Sequence, residues 1–405
     1  MEEQLIFFAT CSRYVEEILE EELNDLGIEQ TTALRGGVQF ETTIENALRA
    51  VVHTRTCGRI YKLIKEHTID SQDDIYKNGM DLDWTKIFSI HQTFKVSTLF
   101  DSKAKDFFNN SLIMSLKLKD AIVDVFRNKT EKRPNIEKAN PDIRFLQRIE
   151  KQNDCFVAYL YMDLSGTALN YRGYRAPGHL SPLRETLAAA ILILADQKEN
   201  KESFVDCFCG TGTFLIEAWM LRENIPPTYL KIMSCIENKK AVFSFQKQTW
   251  YKKNRHLNNW FNEYLLSEYA EIKKKLTNSD SAKIYGSDIS KKNIDICKDN
   301  LKKAKILNRV ELQVSDALDM NPVDTSGGVL VCNPPYGERS GETDEELEEL
   351  YFQLGEHFKH DFNNYKCFIF TSRSDLRKKI RLKTAKKIQL FNGNLDCRLF
   401  QYNIY

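Results

Sequence analysis

The chain of 405 residues contains ten cysteines but no Cys-x-x-Cys pair. The closest two, Cys207 and Cys209, lie two apart in an apolar strand. That spacing disfavours a zinc site or a disulfide framework and suits reduced, buried thiols in the cytoplasm. The seven histidines are scattered and form no ligand cluster, so no metal is expected. Long hydrophobic runs are also missing. The longest, Leu187 to Ala195, falls well short of the roughly 20 residues that span a bilayer. The opening residues MEEQ are acidic and lack the basic start of a secretory signal. Neither charge sign dominates, with a formal net charge of +1. No internal repeat or low-complexity tract is present.

What remains is an ordinary globular composition, 42% hydrophobic and 28% charged. The length exceeds a single typical core, so two or three domains are expected. The N-terminal stretch reads strand then helix, with Ser12 as N-cap and Val15, Ile18, Leu19, Leu23 and Leu26 at helical spacing. Gly27 sits where a C-cap glycine belongs. A strand over 36–42 and a helix over 43–55 follow, which suggests a small α+β unit rather than part of a large sheet. Between residues 62 and 166, strands are expected near 93–100 and 155–166, with a helix over 109–129. Residues 102–148 carry eleven Lys/Arg against six Asp/Glu, a local net charge of +5. The cluster RNKTEKRP within it, with Arg127, Lys132 and Arg133, reads as a phosphate-binding surface, and Arg144 lies in the same segment.

A connector rich in Gly, Pro and Arg, NYRGYRAPGHLSPLRE, marks a boundary and supplies Arg172 and Arg175. It leads into a helix with Pro182 in its first turn. Beyond it, strands and helices alternate. Strands are expected at 204–208, 283–287, 310–314, 329–332, 366–370, 387–391 and 398–404, and helices include a short one over DLRKKI (375–380). This is a doubly wound, mainly parallel sheet whose last two strands are antiparallel.

Four strand ends carry chemistry. FVDCFCGTGTFLIEA sets Asp206, Gly210, Thr211, Gly212 and Thr213 between a strand and a helix, where glycines permit a tight turn beneath a ligand. The third glycine of a dinucleotide fingerprint is missing. The next strand ends in Asp288, where ribose hydroxyls are gripped in such folds. Asp288 lies 76 residues beyond Gly212 instead of about 20, so an insertion at about 225–282 is expected. Its many aromatics read best as a small helical subdomain packed on itself. The third strand ends in Asp316, which could accept from an adenine amine, although a lone Asp there is commonly just a helix cap. The fourth delivers NPPYGER. The Asn333 side-chain carbonyl and the Pro334 backbone carbonyl are two acceptors for one amino group, and Tyr336 offers a stacking face. Two carbonyls drawing on an aromatic amine stabilise the positive charge that develops as it is alkylated.

These signatures resemble class I S-adenosylmethionine-dependent methyltransferases of the amino-methylating (N/D/S)PP(Y/F) type. Across nearly the whole chain, stretches such as FFATCSRYVEEILEEEL, RPNIEKANPDIR and MDLSGTALNYRGYR resemble THUMP-containing RNA methyltransferases. The similarity is to the family of the bacterial 23S rRNA guanine-N2 methyltransferase RlmL, without its fused second methyltransferase. The resemblance implies a C-terminal Rossmann-like α/β methyltransferase domain (167–405) with a mostly parallel seven-stranded sheet. It also implies two α+β domains before it, ferredoxin-like (1–61) and THUMP (62–166). S-adenosylmethionine would be the cofactor, held by Leu183, Asp206, Gly210, Thr211, Gly212, Thr213, Asp288, Asp316 and Asn333. Asn333, Pro334 and Tyr336 would hold the target base. RNA would be the partner, met by Arg127, Lys132, Arg133, Arg144, Arg172 and Arg175. The family usually has a His-Arg pair where this chain has Asn170 and Tyr171. The implied reaction is methylation of guanine N2 in RNA, foremost 23S rRNA. A tRNA guanine, a DNA adenine N6 and a catalytically silent RNA-binding protein are the alternatives.

Overall fold

The structure is a computed structural model, and it describes residues 3–175, 183–197, 202–277, 283–322, 324, 326–337 and 343–405. Among these residues the strands form two sheets of seven. The first holds β1 (Leu5–Thr10), β2 (Gln30–Leu34), β3 (Gly37–Thr42), β4 (Arg59–Ile69), β5 (Phe94–Phe100), β6 (Ile143–Gln152) and β7 (Cys155–Asp163). Its order is β2-β3-β1-β4-β7-β6-β5. The expectation that the N-terminal strands stay apart from a large sheet is therefore wrong. The eleven-residue β4 pairs antiparallel with β1 through residues 59–62 and with β7 along its length, welding two α+β halves into one sheet. The expected boundary between residues 61 and 62 falls inside this strand. β4 and β6 escaped the sequence reading because they mix charged residues into their apolar pattern, and β2 because it is an edge strand with little buried surface.

Successive residues of a strand face opposite sides. Phe7 joins the main core under the helices Glu16–Asp25, Ile44–His53 and Ser111–Thr130, while Phe8 joins a smaller aromatic cluster with Tyr61, Tyr159 and Tyr161. The first helix starts at Glu16 rather than after Ser12. Tyr14 takes φ +67°, and Ser12 uses its carbonyl to close a turn on the Val15 N–H. Gly27 adopts the left-handed conformation expected of it, φ +77°.

The second sheet holds β8 (Ser203–Asp206), β9 (Ile284–Asp288), β10 (Val310–Val314), β11 (Gly328–Cys332), β12 (Tyr365–Thr371), β13 (Thr384–Asn392) and β14 (Leu395–Asn403). Its order is β10-β9-β8-β11-β12-β14-β13, parallel apart from β14. All seven strands match the sequence expectation; β8, β9 and β11 are apolar runs buried on both faces, the clearest strand signal, whereas the edge strands β10 and β13 have few buried residues. DLRKKI forms only a single 3-10 turn, Leu376–Lys378. The helix after the connector begins at Glu185, and Pro182 lies outside the described residues. Strand order reverses between β8 and β11, and in such sheets the crevice at the carboxyl ends there receives ligands.

Between β8 and β9 the insertion forms the helices Tyr229–Glu237, Thr249–Lys253 and Arg255–Thr277. Its aromatics pack on one another, with Phe245 edge-on to Tyr251 and Phe261 at ring distances of 5.2 and 5.1 Å. Trp260 and Tyr264 stack at 5.5 Å. The two halves are joined by buried polar contacts. Thr228 donates to the Val52 carbonyl at 2.9 Å, and Arg55 Nη2 to the Ile225 carbonyl at 2.9 Å. Burial pushes the Arg55 guanidinium down to about 10.

Candidate active site

The ends of β8, β9, β10 and β11 converge at the switch point. Asp206 closes β8, 1% exposed, and accepts from the Phe208 N–H at 3.1 Å. Burial raises its carboxyl well above the usual carboxylate range, and the Asp288 charge adds to the effect. The turn after it needs glycine twice: Gly210 has φ +51° and Gly212 φ +83°. At Gly212 a Cβ would also stand 2.5 Å from Cys297 Sγ. The helix Thr213–Arg222 starts directly from this turn, aiming its first N–H groups at the crevice.

Asp288 closes β9 and laces the turn in place. Its Oδ2 accepts from the Gly210 N–H at 2.9 Å, and its Oδ1 from the Ser290 N–H and Asn293 Nδ2 at 2.9 and 3.1 Å. A carboxylate has about four acceptor sites, so capacity remains for a hydroxyl. Asp316, two residues past β10, caps the 3-10 turn Ala317–Asp319 by accepting from the Leu318 N–H at 3.0 Å. Leu183 is buried, and its carbonyl accepts from Arg175 Nη2 at 2.9 Å. The same nitrogen reaches Thr213 Oγ1 at 2.9 Å, and Arg175 Nε pairs with Glu185 at 2.7 Å. Arg175 thus ties the connector to the glycine-turn helix.

β11 ends in Cys332 and hands over to Asn333, Pro334, Pro335, Tyr336 and Gly337, the last at φ +85°. Glu338 and Arg339 lie outside the described residues. Asn333 Oδ1 is buried and has no hydrogen-bond partner among the described residues. An acceptor left so costs on the order of 1–3 kcal/mol, a cost that persists where function requires it. The acid-and-glycine cradle and this orphaned carbonyl fit a nucleoside-containing methyl donor beside an amino group.

One expected residue is excluded from any surface role. Arg172 is 1% exposed, and its Nε pairs with Glu217 at 3.1 Å while its Nη groups bond to the Leu169 and Arg55 carbonyls. Burial opposes its charge, but Glu217 more than offsets this and holds it above its ordinary value. It rivets three segments together and cannot meet RNA. On the first sheet, Arg127, Lys132 and Arg133 do come together, around a hollow of about 660 Å³ shared with His91, Glu131 and Asn135. Glu131, at φ +57°, turns the chain back from the helix Ser111–Thr130 and so places Lys132 and Arg133 there. Arg144 is elsewhere, bound to the Ala139 carbonyl at 2.7 Å.

Sequence reasoning missed the support beneath the glycine turn. Asn293, Cys297 and Asn300 sit at helical spacing on Lys291–Lys303, and Asn300 Nδ2 donates to the Thr211 carbonyl at 2.9 Å. Three small polar residues on one helix face were the available signal. Among the described residues no group of three or more His, Cys, Asp or Glu could hold a metal, and no helix is long and apolar enough to cross a membrane.

Comparison with known proteins places the parts of the chain in described families. Residues 6–61 match the RlmL ferredoxin-like domain and residues 70–163 the THUMP domain. Proteins named ribosomal RNA large subunit methyltransferase K/L are 33% identical over 99% of this chain in Psychromonas ingrahamii and 34% over 98% in Shewanella frigidimarina. Those matches cover 50% and 52% of the relatives, so the chain spans about half their length. The solved structure of SMU.472, described as a methyltransferase and complexed with SAH, superposes with a TM-score of 0.79 at 26% identity. It covers 100% of this chain and 99% of its own. A methylase structure from Clostridium difficile 630 gives 0.78 at 26% identity, with 100% and 99% covered. Over more than half its length, residues 172–401, the sequence matches the model of the RMKL-like methyltransferase domain, and the chain belongs to that family.

Proposed function

We propose that the protein transfers a methyl group from S-adenosylmethionine to the N2 amine of a guanine in 23S rRNA. The observation that carries this reading is the buried, unpaired Asn333 Oδ1 at the switch point, beside the turn laced by Asp288. S-adenosylmethionine, when bound, supplies the methyl group. Gly210, Thr211, Gly212 and Thr213 would hold it at the glycine turn, with Leu183 and Asp206 at the methionine end. Asp288 takes the ribose and Asp316 the adenine edge. Asn333 Oδ1 and the Pro334 carbonyl accept from the target amine, holding its hydrogens while its lone pair faces the donor. Tyr336 stacks on the base. A buried, stacked target must leave its helix, which suits single-stranded RNA loops.

In this reading the chain divides into ferredoxin-like (1–61), THUMP (62–166) and methyltransferase (167–405) parts and works in the cytoplasm. Arg127, Lys132 and Arg133 contact RNA phosphates. The test is Asn333→Ala, assayed by methyl transfer to rRNA and by calorimetric cofactor binding. Transfer is expected to vanish while cofactor affinity stays within a fewfold, and full activity in that variant would sink the mechanism. Mass spectrometry of rRNA and tRNA nucleosides from a deletion strain identifies the base. Loss of N2-methylguanosine from 23S rRNA is expected; loss from tRNA, or of a methyladenosine, reassigns the substrate.

A further inference from the structure

We propose that a hollow between the two sheets is a pocket for a ribonucleotide flanking the target base, with Arg13 as its principal cation. The proposal rests on the RNA methyltransferase reading above. The hollow measures about 280 Å³ and is lined by Thr10, Ser12, Arg13, Thr56, Asn170 and Arg184, among others. That is just below the roughly 300–1,000 Å³ typical of ligand clefts, a size for a single nucleotide and too little for a duplex. Beside Cys11, Phe391 and two glycines, its polar side chains are hydroxyls, an amide and two guanidinium groups, the donor set that recognises phosphate, ribose and base edges.

Its position connects it to the chemistry. Arg184 follows Leu183, whose carbonyl shares the Arg175 Nη2 donor with Thr213 at the glycine turn. The pocket wall is therefore one peptide from the segment that closes the methionine end of the cradle. Arg13 is preorganised, with its guanidinium 4.4 Å from the Phe391 ring centroid. Tyr14, 49% exposed, stacks on the same Phe391 ring at 5.9 Å.

A second hollow of about 610 Å³ continues from the first, sharing Thr10 and Arg13 and adding Arg35, Lys105 and Arg148. Two hollows in series with cations along both suit successive phosphates of one strand better than an isolated metabolite. The acids around the two hollows have partners of their own. Glu22 accepts from the Arg55 and Thr56 N–H groups and the Thr56 hydroxyl, Glu16 from the Gly36 N–H at 2.7 Å, and Asp396 pairs with Arg398. Of the two acids lining the second hollow, Asp101 accepts from the Ala104 N–H at 2.6 Å and Glu150 pairs with Arg148, so Arg148 adds no net charge there. Burial pushes the Cys11 thiol up, so no thiolate opposes an anion there.

The test uses the full chain, a fluorescent eight-nucleotide single-stranded RNA and purified rRNA, with variants Arg13→Glu and Arg13→Lys. Arg13→Glu is expected to weaken RNA binding at least fivefold and to make its salt dependence shallower by about one. Arg13→Lys should recover most of the affinity, and melting temperature and cofactor affinity should match the wild type in both. Equal RNA affinity and salt slope in Arg13→Glu and wild type overturn the pocket, as does a wild type that binds no RNA. If Arg13→Glu weakens RNA binding while wild type transfers no methyl group to rRNA, the pocket stands and the reaction is removed.

Discussion

Asp288 Oδ2 accepts the Gly210 N–H at 2.9 Å, so the end of β9 holds the glycine turn that follows β8. One carboxylate serves both the turn's shape and the proposed ribose contact. Asp288→Ala should lose a charge-assisted hydrogen bond to the ribose, about 1.5–3 kcal/mol, and weaken cofactor binding roughly ten- to hundredfold. Calorimetry checks this. An unchanged affinity would leave Asp288 a purely structural tie.

Gly212 combines a left-handed backbone with a thiol where a Cβ would go. Gly212→Ala should cost about 1–3 kcal/mol for the backbone alone, more with the Cys297 clash. Adding Cys297→Ala should return part of that loss. Denaturant melts of both single variants and the double variant give the coupling, and strict additivity would show that the thiol does not crowd the site.

Arg172 and Glu217 form a buried pair at 3.1 Å joining the connector to the glycine-turn helix. Arg172→Ala strands a buried carboxylate and should destabilise by about 3–5 kcal/mol. The salt dependence of RNA binding, measured below the melting point, should not move. A changed slope would return Arg172 to the RNA surface.

Asp206 has its carboxyl raised by burial, with the Asp288 charge contributing. The folded state therefore holds a proton that the unfolded chain releases near pH 4, and stability falls as pH rises from there toward the folded value. Asp206→Asn cannot ionise and should not show this loss. The melting difference between variant and wild type should move in the variant's favour from pH 4 to pH 7, and a flat difference would contradict the assignment.

Arg127 is 56% exposed and sits with Arg133 at the hollow beyond the helix Ser111–Thr130. Arg127→Ala with Arg133→Ala should weaken RNA binding and flatten its salt dependence by between about one and two, without altering cofactor affinity. Filter binding across salt concentrations decides the matter, and parallel lines for variant and wild type would reject the contact.

The sequence by itself determined the catalytic sheet and its strand-end residues. Strands buried on both faces are continuous apolar runs, and their ends carry Asp206, Asp288 and Asn333 within the same few residues that stop the strand. Even the spacing of 76 residues from Gly212 to Asp288 announced the insertion. Tertiary structure alone decided three things. It made β4 the common strand of both N-terminal halves, because pairing on both edges depends on partners as distant as β7. It turned Arg172 inward, because an arginine's role follows from the carboxylate it meets, and Glu217 is 45 residues away. It also brought Arg13 beside Arg184 across the junction of the sheets. Local pattern encodes periodicity and turns, whereas contacts between distant segments are set only when their surfaces pack.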